Sequence, residues 1–215
     1  MNIQPPSPTT DVAQLAIIQK KLMLDARIRN GASWFFWIFA LSLVNSVMFL
    51  LGKYFVFFLG LGATQVVDGF MYALANEFGS SGSIFRLLGF GIDVCIAGIF
   101  LVIGILGRKS NRAAIITGMV LYALDGVILL LFQDFLAAGF HVFALVGIWT
   151  GYKAISELAE LEKYGNTESI ESLRSRMPSM QPQASPQQKR TRWILVGLIV
   201  LVIVVFLILA SFPFP

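Results

Sequence analysis

Runs of apolar residues about twenty long, parted by short polar or basic breaks, recur along this chain. About 20 helical residues cross the hydrocarbon core of a bilayer, and these runs lack the period-two alternation of barrel strands. Four are unbroken: Ser33 to Leu51, Ile84 to Gly107, Ala113 to Phe132 and Phe135 to Tyr152. Each predicts a spanning helix, because backbone polar groups inside a bilayer must be satisfied within their own segment. The first opens on Trp34, Phe35, Phe36 and Trp37, an aromatic belt of the kind found where helices leave the headgroups. The second is rich in glycine, at Gly89, Gly91, Gly98, Gly104 and Gly107, which predicts close backbone approach and the most enclosed helix of the set.

The flanks follow other patterns. Residues 1 to 10, MNIQPPSPTT, predict disorder, and no charged region followed by a cleavable apolar core marks a signal peptide. Val12, Leu15, Ile18 and Leu22 recur every three or four residues, with Lys20, Lys21, Arg27 and Arg29 elsewhere. That spacing predicts a basic amphipathic helix from Thr10 or Asp11 to Arg29, lying on the membrane or docked on the bundle and stopped by Asn30-Gly31. After Tyr152 a charged helix is expected to continue to Tyr164, closed by Gly165-Asn166. A Ser, Pro and Gln-rich linker follows over 167 to 188, and then Trp193 to Phe212, a last apolar helix free of buried charge.

The stretch Tyr54 to Asn76 is apolar enough to span, yet Gly60-Leu61-Gly62 breaks it and it carries Gln65 and Asp68. Charge decides how it runs, because Lys and Arg near membrane ends gather on the cytoplasmic side. If the stretch enters and leaves on one face, as a re-entrant or interfacial segment, all 16 Lys and Arg except Lys53 and Arg86 share the other. A full crossing divides the basic clusters between the two sides.

The expected fold is therefore all-α, a polytopic integral membrane helix bundle. It has four spanning helices plus a re-entrant or interfacial segment, and a separate C-terminal transmembrane helix on a flexible linker. Its parts are 1–32, a cytoplasmic N-terminal segment; 33–152, the bundle; 153–192, a cytoplasmic helix and linker; and 193–215, the terminal helix, ending on the outer side. The membrane is the plasma membrane, or the inner one in a prokaryote.

Composition agrees. Of 215 residues 57% are hydrophobic and 13% charged, about half the charge of a soluble domain, and the mean hydropathy is +0.77. The lone Cys95 can form no intrachain disulfide and is expected to pack between helices. The basic balance is explained by membrane orientation, so nucleic acid is not an expected partner. The expected partners are the lipid bilayer, protons or a small cation, and another membrane subunit met through the C-terminal helix.

Candidate chemistry lies at membrane depth. Asp93, Asp125 and His141 fall roughly 9 to 14 Å below the outer surface at 1.5 Å of rise per residue, with Asn45 at a similar level. Asp68 and Gln65 reach that layer if their segment dips in from outside. Arg86 lies two turns from Asp93 on the same face, too far for a direct pair. Charges at that depth are expensive and must find partners. One expectation is a structural network in an accessory or scaffold subunit, with His141 donating to an acid. The alternative is a polar chamber, open to the outside, in a proton- or cation-coupled transporter or channel.

A third reading is an intramembrane aspartyl protease, which needs two acids on adjacent helices. Gly89-Phe90-Gly91-Ile92-Asp93 has one residue too many for the Gly-x-Gly-Asp motif of presenilin-like proteases, and their Pro-Ala-Leu element is absent. A single histidine with scattered acids does not form a metal site, so no catalytic residue, metal or cofactor is assigned.

Overall fold

A computed structural model of the protein describes residues 8–51, 60–79 and 82–163, with side chains from Gln14 onward. Five helices account for them: α1 (Pro8–Leu50), α2 (Gly62–Glu77), α3 (Gly82–Arg108), α4 (Arg112–Leu131) and α5 (Phe135–Lys163). No strand occurs among the described residues. Four helices, α1, α3, α4 and α5, are long and apolar enough to cross a membrane. The expected C-terminal helix, the linker and the 165–166 stop lie outside the described residues, as does the start of the 54–76 stretch.

The N-terminal expectation needs correction. Asn30-Gly31 ends nothing: α1 runs unbroken through 43 residues, about 64 Å, more than twice the thickness of a hydrocarbon core. Glycine inside a helix costs about 1 kcal/mol relative to alanine, and here it is offset by packing. A methyl group on Gly31 would come 2.6 Å from the Cα of Gly151, so α1 and α5 cross backbone to backbone at this pair. Beyond the crossing, Leu24 and Ile28 of α1 share one apolar core with Ala154, Ile155 and Leu158 of α5. Of the predicted apolar face, Ile18 and Leu22 are buried while Leu15 is exposed. Lys21 and Asp25, also buried, are both engaged in contacts of their own.

α1 is the centre of the bundle. Gly104 of α3 meets Phe35 and Phe36, and Gly107 meets Ala32, so α3 runs antiparallel along α1. Gly118 of α4 takes the Phe35 ring, and Gly147 of α5 takes the Trp34 indole. Phe35 is thus fully buried in the core, not a belt residue, whereas Trp37 is exposed as a belt residue should be. Only part of the glycine expectation for α3 holds, because Gly91 and Gly98 face open space. Nor is α3 more enclosed than its neighbours: Leu87, Leu88, Ile99 and Val102 are exposed along one side. Cys95 lies on an exposed face too, not between helices.

The two ends of the bundle differ. At the basic end, Arg108 donates to Ser33 Oγ (3.1 Å) and lies 4.3 Å over the Phe36 ring, while Arg112 donates to Tyr152 Oη at 2.7 Å. Asn111 caps α4 by accepting from the Ala114 amide, and Ser110, with φ of 61°, makes the turn between α3 and α4. At the far end, Asp134 Oδ1 accepts from the Ala137 amide at the start of α5.

α2 joins that far end to the middle. It is 16 residues, about 24 Å, short of a crossing. Its foot lies inside the bundle, where the Leu61 amide donates to Ser42 Oγ (3.1 Å). Farther along, Tyr72 meets Phe49 (ring centroids 6.3 Å), and Ala75 lines a cavity with Leu50. α2 therefore runs parallel to the last turns of α1, from mid-bundle outward.

Candidate functional site: two buried acid pairs

The start of α2 leaves amide groups that no residue within the helix can accept, and its N-cap, Leu61, has no side chain to help. Asp125, reaching across from α4, takes that place. Its Oδ2 accepts from the Gly62 amide and its Oδ1 from the Ala63 amide, both at 2.8 Å. A carboxylate there also faces the positive end of the α2 dipole. His141 of α5 completes the arrangement, with Nε2 at 2.8 Å from Asp125 Oδ2.

The tautomer follows from the partners. Nδ1 of His141 is 2.9 Å from the Ala137 carbonyl, which can only accept, so Nδ1 carries a proton. One further proton lies between Nε2 and Oδ2. Tyr122, one turn before Asp125, stacks on the imidazole (centroids 4.0 Å, planes 16° apart) and holds it in place. Its hydroxyl is buried without a partner. The group ties α2, α4 and α5 together with both carboxylate oxygens of Asp125 satisfied.

A second pair lies farther along α2. Asp68, six residues or about 9 Å of rise beyond Gly62, faces Asp93 of α3 within hydrogen-bonding reach. Asp93 is fully buried and Asp68 is 7% exposed. Neither Asp93 oxygen nor Asp68 Oδ1 has a hydrogen-bond donor. Ser46 is close enough to Asp93 to act on it, but the serine hydroxyl donates instead to the Ser42 carbonyl at 3.1 Å. Asn45 is buried and engaged, and the Gln65 Nε2 is buried without a partner.

Of the residues expected in one layer, Asp125 thus meets His141 at the foot of α2, while Asp68 meets Asp93 farther along it. Arg86 joins neither: it lies toward the far end, 5.8 Å from the Tyr72 ring. Between it and Asp93, Gly89 lets Met71 pack close, so a methyl group there would stand 3.0 Å from Met71 Cγ. Among the described residues no group of three His, Cys, Asp or Glu is arranged to hold a metal ion.

Sequence reasoning passed over Ser42, Ser46 and Tyr122. The first two stand with Asn45 at spacings of three and four, a polar stripe on one face of a spanning helix. Tyr122 lies three residues before Asp125 on the same face. No protein-family model matches the chain, and no curated protein or solved structure is similar to it. Any reading of function therefore starts from the geometry of these two pairs.

Proposed function

We propose that the protein is an integral membrane protein of the proton- or cation-coupled class, a transporter or channel in which the Asp68–Asp93 pair carries the exchangeable ion. The carrying observation is the pair itself: two buried carboxyls face each other and three of their four oxygens lack a donor. Two carboxylates in that position repel and are desolvated, and one proton held between them removes the repulsion and halves the buried charge. A small cation does the same. Asp125–His141 is then the fixed part of the structure, and it is the best support for the structural or accessory-subunit reading as well.

The same geometry supports the topology read from charge. The foot of α2 is held at mid-bundle by Ser42 and Asp125 while its other end lies beside Leu50, which fits a segment that returns to the face it came from. With Ser33, Arg108, Arg112 and Tyr152 at one end, that end is the cytoplasmic one and Arg86 faces outward.

Infrared spectroscopy of the purified full chain tests the proton. A carbonyl band of a protonated carboxyl, sensitive to exchange into heavy water, is expected at neutral pH in the wild type. It should vanish in Asp68→Asn and in Asp93→Asn and persist in Asp125→Asn. In liposomes, the two Asn variants should also lose uptake driven by a pH gradient. If wild type lacks the band and the variants match it in proton and sodium flux, the reading fails.

Facing carboxyls on adjacent helices are equally what a water-activating aspartyl dyad requires. Cleavage of a transmembrane reporter by wild type, lost in either Asn variant, would favour that chemistry over transport.

A further inference from the structure

At the far end of the bundle, the end of α1, the last turn of α2 and the first turn of α3 line an open cavity of about 480 Å³. Its polar lining comes from Asn76, Ser83 and Arg86. Arg86 is partly buried, and its guanidinium lies near the Tyr72 ring with no ion pair or hydrogen bond to a described residue. Glu77, the acid nearest in sequence to the lining residues, is exposed and does not line the cavity. Asp93 lies seven residues deeper, about 10 Å, beyond the Met71–Gly89 contact.

An arginine stays charged under all ordinary conditions, and its planar fork of donors matches the paired oxygens of a carboxylate or phosphate. Placed in a recess without a carboxylate of its own, it makes the recess attractive to anions. The amide of Asn76 and the hydroxyl of Ser83, both on exposed residues of the lining, add neutral donors. The positive end of the α3 dipole adds to this field, although alone it would not make a site.

We propose that this cavity binds a small anion of carboxylate or phosphate type, with Arg86 as the charged anchor and Asn76 and Ser83 as supporting donors. The binding site stands by itself. Its use as the substrate site of proton-driven uptake rests on the function proposed above: an anion held at Arg86 and a proton held on the deeper acid pair carry opposite charges, and moved together they cross with little net charge.

The test uses the full chain. In detergent, thermal unfolding is followed against inorganic phosphate and against acetate, with chloride holding ionic strength constant. In nanodiscs, phosphatidylglycerol is compared with phosphatidylcholine. A saturable stabilisation by a free anion, with affinity reduced about tenfold or more in Arg86→Gln and partly kept in Arg86→Lys, assigns a soluble ligand. A response only to phosphatidylglycerol, again lost in Arg86→Gln, assigns a lipid headgroup. If Arg86→Gln does not fold, Asn76→Asp sets a carboxylate beside the guanidinium and should weaken binding in the same way.

No response to free anion or lipid, or one equal in the variants, overturns the proposal. Asp68→Asn and Asp93→Asn should leave anion binding intact while removing proton uptake, so the two readings fail separately.

Discussion

Asp125 and Asp93 are both buried acids on spanning helices, yet their surroundings are opposite. Asp125 receives two amides and an imidazole, each at 2.8 Å. Asp93 receives no hydrogen bond and faces another carboxyl. Cost explains the difference in role. A buried charge with both oxygens engaged can hold a fold together, whereas an unsatisfied one must change its charge state or find an ion. One chain holds the same side chain in a satisfied joint and in an unsatisfied pair, and the number of donors around it tells them apart.

The largest effect expected from that contrast is at Asp125. Replacing it with alanine leaves two amides of α2 and the imidazole without a partner, and should cost about 3–5 kcal/mol in denaturant unfolding of the detergent-solubilised protein. A cost under about 1 kcal/mol would break the comparison.

Next comes Gly62→Leu. Even a methyl group there would stand 2.9 Å from Leu129 Cγ, so the larger side chain should push the foot of α2 off Asp125 and cost about 1–3 kcal/mol. Faster amide exchange at Leu61 and Ala63 would show the foot released.

Asp93→Asn should have the opposite sign. Its amide gives Asp68 the missing donor, so stability should hold or rise by up to about 1.5 kcal/mol in the same denaturant assay. A loss above about 2 kcal/mol would put both pairs in the structural class.

Tyr122→Phe is the smallest. It removes a buried hydroxyl that has no partner and keeps the ring on His141, so the unfolding midpoint should stay level or rise slightly, by under about 1 kcal/mol.

Much of the fold is readable in the sequence, because lipid imposes it directly. The expected segments 84–107 and 113–132 become Gly82–Arg108 and Arg112–Leu131, since hydropathy and the basic turn are local signals. Gly31 shows where local signals stop. Beside Asn30 it has every mark of a helix end, and its actual role depends on Gly151, 120 residues away. The site follows the same rule. Counting residues from helix ends puts Asp68, Asp93, Asp125 and His141 in one layer. Which carboxyl meets which partner depends on the rotation of each helix, and that is set by Gly118, Gly126 and Gly147 admitting particular rings. The His141–acid contact was expected, whereas the amides of Gly62 and Ala63 as its third corner carry no side-chain signature.

The unbroken α1 has a mechanical meaning. Gly31 and Gly151 touch near its middle, Ser46 lies near Asp93 some 22 Å to one side, and Gln14 ends the described side chains some 25 Å to the other. A stiff rod resting on such a fulcrum behaves as a seesaw: a rocking of about 5° shifts both arms by about 2 Å in opposite directions. On the function proposed above, filling or emptying the acid pair would in that way be felt at the N-terminal end without any helix bending or unwinding.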